Sequence, residues 1–281
     1  MTTAKTRWLG VLGWPVDHSR SPQIHTAALE ATGIDAVYLP LAVPPVELAS
    51  AVSGLRALGA LGANVTLPHK ERVMEHLDAI EPAALAIGAV NTIVREGDRL
   101  IGANTDGDGL ARSLREGGAS LEGARALVIG GGGAARASVR GLLDAGARSI
   151  IVAARRVEQA EQVASGESAV SALALGDART LEDAARGCDL LVQATSATLG
   201  DRDPAFAASL PIAALPAHAT VIDLVYSPRE TAVLRAAAAR GLRTLDGLGM
   251  LVWQAALAFE RWHGVAAPID VMRRAALMAT R

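Results

Sequence analysis

Two polar stretches stand beside apolar, strand-like runs: Gly62-Ala63-Asn64-Val65-Thr66-Leu67-Pro68-His69-Lys70 and Gly102-Ala103-Asn104-Thr105-Asp106. Between them they offer an amine, Lys70, and a carboxylate, Asp106. Hydride delivery to a ketone leaves a developing alkoxide, which needs a nearby proton donor or positive charge. Lys70 can supply either, and Asp106 can orient it and bond a substrate hydroxyl. A glycine-rich turn, Val128-Ile129-Gly130-Gly131-Gly132-Gly133-Ala134-Ala135-Arg136, follows. Gly130, Gly132 and Ala135 fit G-x-G-x-x-A after a strand and at the opening of a helix, where backbone amides can hold a dinucleotide pyrophosphate. A cofactor turn behind an amine–carboxylate pair points to a dehydrogenase. Each group also has a plainer role: Lys70, before Glu71 and Arg72, suits an exposed helix start, and Asp106 suits a helix cap.

The strand after the glycine turn bears on the choice of nucleotide. NAD-preferring sites place an acid about 20 residues on, to bond the ribose hydroxyls. Here Ile150-Ile151-Val152-Ala153-Ala154-Arg155-Arg156 ends in two arginines and no acid. A guanidinium matches a 2′-phosphate in geometry and charge, so Arg155 and Arg156 favour NADP. No metal is expected: the histidines lack ligand spacing, and Cys188 is the only cysteine, which excludes an internal disulfide and a thiolate cluster. Cys188 reads as a small buried apolar residue.

The elements that must position these groups alternate from the start. Trp8 to Gly13, Ala36 to Leu41 and Ala63 to Leu67 read as strands, with helices over Ser21 to Gly33 and Pro45 to Leu58. Ser21 precedes Pro22 as an N-cap would. Asn91 to Arg95 and Leu100 to Asn104 form a hairpin around Glu96-Gly97-Asp98. After a helix over Gly109 to Glu116, the runs Ala124–Ile129, Ser149–Ala153, Leu190–Ala194 and Val221–Val225 predict a doubly wound parallel sheet. Asp246 to His263 and Ile269 to Thr280 are helical. The chain has 281 residues, room for two domains, and a net charge of −2 with no basic tract, so nothing points to nucleic acid or an anionic membrane. The first apolar run is broken by Pro15 and Asp17, too soon for a signal-peptide core. The longest uncharged stretch, Pro204 to Ile222, holds Pro204, Pro211 and Pro216 and suits no membrane helix. A cytoplasmic protein acting on a small molecule is expected.

The motifs resemble, in order, those of the shikimate dehydrogenases. The signature Gly13-Trp14-Pro15-Val16-Asp17-His18-Ser19-Arg20-Ser21-Pro22-Gln23-Ile24-His25 is followed by Asn64 to Lys70, Gly88-Ala89-Val90-Asn91-Thr92 and Gly102 to Asp106. Asp223-Leu224-Val225-Tyr226-Ser227-Pro228 and Asp246-Gly247-Leu248-Gly249-Met250-Leu251-Val252-Trp253-Gln254-Ala255 complete the series. The resemblance runs from about Trp8 to Gly264 and implies reduction of 3-dehydroshikimate to shikimate by NADPH, in aromatic amino-acid biosynthesis. It implies Lys70 and Asp106 as the catalytic pair, and Ser19, Ser21, Asn64, Thr66, Asn91, Tyr226 and Gln254 as substrate contacts. At the cofactor it implies Gly130, Gly131, Gly132, Gly133, Ala134, Ala135, Arg155, Arg156, Thr195, Gly247 and Met250. The implied fold is a two-domain α/β protein. Residues 1–106 begin a substrate domain, 107–245 form an inserted Rossmann domain, and 246–281 return as carboxy-terminal helices, in a monomer or homodimer. The chemistry agrees: shikimate carries a carboxylate and three hydroxyls, which suits a site rich in hydroxyls and amides and poor in charge. His18 and His69, beside that site, read as structural.

The chain departs from the family pattern in places. Gln193-Ala194-Thr195-Ser196-Ala197-Thr198 stands where Asn-Ala-Thr and a final glycine are usual, Ala154-Arg155-Arg156 replaces Asn-Arg-Thr, and Thr26 replaces an asparagine. Quinate dehydrogenases, the nearest rival, tend to carry threonine at the position of Ser21 and an acid near Arg155; this chain has neither. A non-catalytic NADP-binding regulator would lack the Lys–Asp pair. A methyltransferase would share only the glycine turn.

Overall fold

The computed structural model describes residues 2–201 and 204–278. The chain divides into two compact units, Met1–Thr105 with Val252–Arg281, and Asp106–Leu251.

The first unit opens with β1 (Arg7–Gly13), α1 (Ser21–Thr32), β2 (Ala36–Ala42), α2 (Leu48–Ala57) and β3 (Gly62–Val65). It continues with β4 (Ala79–Ile80), α3 (Pro82–Ile87), β5 (Thr92–Glu96) and β6 (Arg99–Ala103). The sheet order is β2-β1-β3-β5-β6-β4. β1 runs parallel to both β2 and β3, and β5 is antiparallel to β3 and β6. The hairpin closes as Glu96 pairs with Arg99, leaving Gly97-Asp98 as a two-residue turn with Gly97 at φ +61°, the positive φ such turns demand. Leu12, Leu55, Val65, Ile93 and Leu100 are almost fully buried in the core between sheet and helices. Each such side chain contributes about 1.5–3 kcal/mol by leaving water.

The second unit alternates helix and strand throughout. Its elements are α4 (Asp106–Glu116), β7 (Arg125–Ile129), α5 (Gly133–Asp144), β8 (Ser149–Ala154), α6 (Val157–Ala164) and β9 (Val170–Ala174). After these come α7 (Ala178–Ala185), β10 (Leu190–Gln193), α8 (Pro204–Ser209), β11 (Thr220–Asp223), α9 (Ala232–Ala239) and β12 (Arg243–Leu245). All pairings are parallel, in the order β12-β11-β10-β7-β8-β9. This is the doubly wound sheet expected, and its strand order reverses between β7 and β10, the switch point at whose carboxyl ends such sheets bind their ligands. Successive residues of β7 face opposite ways: Ala126 and Val128 pack with Leu110, Leu114 and Leu142, while Leu127 and Ile129 pack with Leu191, Leu210 and Val233. Helices α4 and α5 cross at Gly107 and Gly141, so closely that a Cβ on Gly141 would run into the Gly107 carbonyl. Cys188 is buried as expected, its thiol on the Ala184 carbonyl.

Helix α10 (Leu248–His263) leads from the second unit back to the first, and α11 (Ile269–Met278) packs on α1. The division between units falls inside α10 rather than ahead of it. Of the helix expected over Ile269 to Thr280, Ala279 and Thr280 lie outside the described residues. The helix expected over Pro45 to Leu58 splits into a 3-10 turn, Pro45–Glu47, and α2.

Candidate active site

In the first unit, four of the expected substrate contacts fall into one buried network. Asn64, near the carboxyl end of β3, extends its amide nitrogen to the Asn91 carbonyl (3.2 Å) and the Thr92 hydroxyl (3.3 Å). The Asn91 amide donates to the Thr105 hydroxyl (3.0 Å) and reaches Gln254 Oε1 (3.4 Å). Thr105 in turn donates its backbone N–H to Asn91 Oδ1 (2.9 Å) and its hydroxyl to the Gln254 carbonyl (3.0 Å). These side chains converge because β3, β5 and β6 are neighbours: Asn64 pairs with Thr92, and Thr92 with Ala103. Ser21, the fourth, joins through Tyr38, whose hydroxyl donates to Asn64 Oδ1 at 2.6 Å and accepts from Ser21. Every member is neutral. Burial holds the Tyr38 phenol protonated well above its ordinary pKa.

Ser21 does not cap its helix. Arg20 occupies the N-cap without a side-chain bond, and Ser21 is the first helical residue. The reason is local: the Ser21 backbone N–H turns to the Ser19 hydroxyl (3.3 Å), while its own hydroxyl is engaged by Tyr38. Behind Tyr38 lies His25, stacked at a 4.4 Å ring separation and 1% exposed, with neither ring nitrogen hydrogen-bonded. Burial, aided by the nearby His263, pushes its pKa down to about 3.

The segment after β3 carries Thr66 and Lys70. Thr66 is half-buried and its N–H bonds to Leu12, while the half-buried Lys70 is anchored by its carbonyl, which accepts from Val90 (2.8 Å). His69 is fully buried and places Nε2 2.7 Å from the Val43 carbonyl. His18 is exposed. Asp106 belongs to the second unit and opens α4, buried, where a helix N-terminus favours a carboxylate.

The second unit presents the nucleotide candidates at the carboxyl ends of its strands. Gly130 ends β7 at φ +125°, and a Cβ there would press on the Thr195 methyl (3.1 Å) and the Ala194 carbonyl (3.3 Å). Gly132, the N-cap of α5, faces open space: no atom lies within 4 Å of where its Cβ would stand. Backbone amides at the start of α5 have no intrahelical partner. Open space over unpaired N–H groups at the helix's positive end suits a dinucleotide's pyrophosphate. Ala135 is fully buried, letting α5 sit close on the sheet. Arg155 and Arg156, both exposed, follow β8, with Arg156 as the N-cap of α6. Gly247 lies against the Leu224 backbone, where a Cβ would collide, and Met250 is packed in the core with Leu110 and Leu114. Tyr226 is half-buried just beyond β11.

Residues 11–93 match the shikimate dehydrogenase substrate binding domain, 110–224 the shikimate / quinate 5-dehydrogenase family, and 247–277 the shikimate 5′-dehydrogenase C-terminal domain. The chain belongs to the shikimate dehydrogenase family. It is 46% identical to the shikimate dehydrogenase (NADP(+)) of Geobacter metallireducens over 99% of both chains. The crystal structure of shikimate 5-dehydrogenase from Thermus thermophilus, in complex with NADP(H) and shikimate, matches with a TM-score of 0.87 and 39% identity over 98% of this chain and all of that one. A quinate dehydrogenase from Corynebacterium glutamicum in complex with NAD matches with a TM-score of 0.88 and 30% identity, over 97% of this chain and 99% of that one. The fold is therefore common to both substrate types within the family, and side chains must tell them apart.

Sequence reading missed Tyr38 and Thr105, which knit this family member's polar network together. Thr105 sat inside a quoted motif, between Asn104 and Asp106, without a role. Tyr38 lies in an ordinary apolar strand pattern, and only the parallel alignment of β1, β2 and β3 brings its hydroxyl to Asn64.

Proposed function

We propose that this chain is an NADP-dependent shikimate dehydrogenase, which reversibly reduces 3-dehydroshikimate to shikimate in aromatic amino-acid biosynthesis. The observation that carries this reading is the neutral network of Ser21, Tyr38, Asn64, Asn91, Thr105 and Gln254 in the unit matched to the substrate binding domain. Amides and hydroxyls that donate and accept suit a ring bearing several hydroxyls, Ser19 offers a donor to its carboxylate with Ser21 beside it, and Tyr226 is a further proposed substrate contact. Thr66 completes the substrate set.

NADPH, when bound, supplies the hydride. Glycines 130 to 133 with Ala134 and Ala135 hold its pyrophosphate, Arg155 and Arg156 its 2′-phosphate, and Thr195, Gly247 and Met250 complete its site. Lys70 Nζ gives a proton to the oxygen that becomes the new hydroxyl, and takes it back in the reverse direction. Asp106, the second member of the proposed pair, is a carboxylate able to bond a substrate hydroxyl. Lys70 and Asp106 thus add charge only where charge develops. The first unit with the carboxy-terminal helices supplies most of the proposed substrate contacts, and the second supplies the nucleotide contacts together with Asp106 and Tyr226. The enzyme works in the cytoplasm as a monomer or homodimer. Among the described residues no helix is long and apolar enough to cross a membrane.

A spectrophotometric panel tests this: shikimate and quinate, each with NADP⁺ and NAD⁺. Shikimate with NADP⁺ is expected to lead, with kcat/KM for shikimate at least roughly tenfold above quinate, whose extra ring hydroxyl a fitted pocket must crowd or leave unpaired. Comparable values for the two acids would move the chain to the quinate branch.

A further inference from the structure

The carboxyl ends of β10 and β11 hold a buried polar cluster that no step of the proposed reaction uses. Gln193 and Asp223 are register partners on these neighbouring strands, and both are fully buried. Gln193 turns its amide along its own chain: Oε1 accepts from the Thr195 N–H (2.5 Å), while Nε2 donates to the Thr195 carbonyl (3.0 Å). The side chain therefore grips both backbone groups of Thr195, as a neighbouring strand would. The same Nε2 stands 3.0 Å from the Thr198 hydroxyl and 3.1 Å from Asp223 Oδ1. Thr198 donates to Asp223 Oδ1 at 3.2 Å. The carboxylate is fixed at both oxygens, with Val225 N–H on Oδ1 (3.0 Å) and the Thr231 hydroxyl on Oδ2 (2.7 Å).

We propose that Gln193 and Asp223 are positioning residues for the nicotinamide dinucleotide, holding the Thr195–Thr198 turn in the shape that receives it; this rests on the function proposed above. The far side of the turn is what gives the cluster a functional consequence. Thr195 and Ala194 abut Gly130, the first glycine of the cofactor turn, at 3.1 and 3.3 Å from where its Cβ would be. The Thr195 turn comes so near Gly130 that only a glycine fits there without the turn giving way, so the shape of that turn and the pyrophosphate seat are set together. The tie spans two strands. Gln193 grips the turn from the end of β10, and Asp223 holds Gln193 and Thr198 from the end of β11.

The test compares Gln193→Met, which keeps length and volume without the hydrogen bonds, with Thr198→Val, which cuts the second link while keeping its shape. Kd by calorimetry and KM are measured for NADP⁺ and NAD⁺, with kcat and KM for shikimate at saturating cofactor, and Tm. Gln193→Met is expected to raise Kd and KM about tenfold for both cofactors, the worth of about one hydrogen bond. Thr198→Val is expected to move them in the same direction by less. Turnover at saturating cofactor and KM for shikimate should stay within about twofold of wild type. Equal loss for both cofactors distinguishes this role from a 2′-phosphate contact. A lowered Tm with unchanged cofactor Kd would make the cluster packing alone and overturn the proposal, as would unchanged Kd in Thr198→Val if Gln193→Met fails to fold. Wild-type protein that binds NADP⁺ but does not oxidise shikimate would defeat the functional reading, leaving the Kd comparison to decide this one. Wild-type protein that binds neither cofactor would overturn both.

Discussion

Replacing His25 by phenylalanine should remove much of the acid sensitivity of the first unit. The folded unit keeps His25 neutral down to about pH 3, because burial and the nearby His263 disfavour its charged form, whereas an unfolded imidazole titrates near 6.5. Below pH 6.5 the unfolded chain binds a proton that the folded chain refuses, so stability is complete above that pH and drains away as the pH falls toward 3. With those two values the loss from this one group is about 2 kcal/mol between pH 8 and pH 5, and about 3 kcal/mol by pH 4. That is a large share of a typical 5–15 kcal/mol stability. His263, half-buried and also lowered by burial and by Arg7, adds in the same direction and remains in the variant. Some slope should therefore survive.

The assay can be confined to the right unit. All four tryptophans, Trp8, Trp14, Trp253 and Trp262, lie within residues 1–105 and 252–281, so their fluorescence during urea unfolding reports that unit alone. Phenylalanine can keep the stack on Tyr38 and the tilted contact with Trp262, 5.3 Å away. It fills more space, and the packing cost is cancelled by comparing each protein with itself at pH 8 and pH 5. The wild-type loss between those two pH values should exceed the variant loss by about 2 kcal/mol. Equal losses in the two proteins would refute the claim that His25 is held neutral by burial.

Lys70→Ala should cut kcat roughly 10²–10⁴-fold, the range for a lost acid–base group, with little change in KM and an unchanged circular dichroism spectrum; near-native turnover would make Lys70 a surface lysine. Arg155→Ala should raise KM for NADP⁺ by roughly 10- to 150-fold, the worth of a charged hydrogen bond to phosphate, and leave NAD⁺ nearly unchanged. Equal losses for both cofactors would assign Arg155 to loop structure.

Much of the fold was legible because its signals are strong where burial is complete. Leu127, Val128, Ile129, Leu191 and Val221 sit in runs that are apolar until the carboxyl end of the strand, where Gln193 and Asp223 close β10 and β11, and such runs in alternation with helices admit few layouts other than a parallel sheet. The strands that escaped notice are the short or peripheral ones. β4 has two residues, and β12, at a sheet edge, has three, opening with an exposed arginine. β9, the opposite edge, reads Val-Ser-Ala-Leu-Ala and carries little strand preference of its own; register with β8 decides it. At the candidate site, the residues proposed to do chemistry stand out by type, since an amine, a carboxylate and a run of amides beside strands are conspicuous. Their supports were not. Tyr38, Thr105 and Gln193 act through distances fixed by strand register, and no local pattern announces which side chain will face which.

The error over Ser21 shows how the two levels join. A serine before a proline at a helix start satisfies every local rule for an N-cap, and the local rule loses because a buried phenol competes for the hydroxyl. Desolvated Tyr38 must find partners or leave its hydroxyl unsatisfied at a cost of about 1–3 kcal/mol. It finds two, Ser21 at the start of α1 and Asn64 in β3. A helix N-terminus left uncapped costs about 1 kcal/mol at a partly exposed end, so the trade favours the phenol. The same trade fixes two proposed substrate contacts relative to each other before any substrate arrives, which lowers the ordering cost of binding. It also explains why His25 can tolerate burial beside them. A charged imidazole there would pull Asn64 and Tyr38 out of a network whose value lies in neutrality, because a ring of hydroxyls is matched by groups that both donate and accept. In the proposed reaction charge is then left to Lys70 and Asp106, where the chemistry itself would create it.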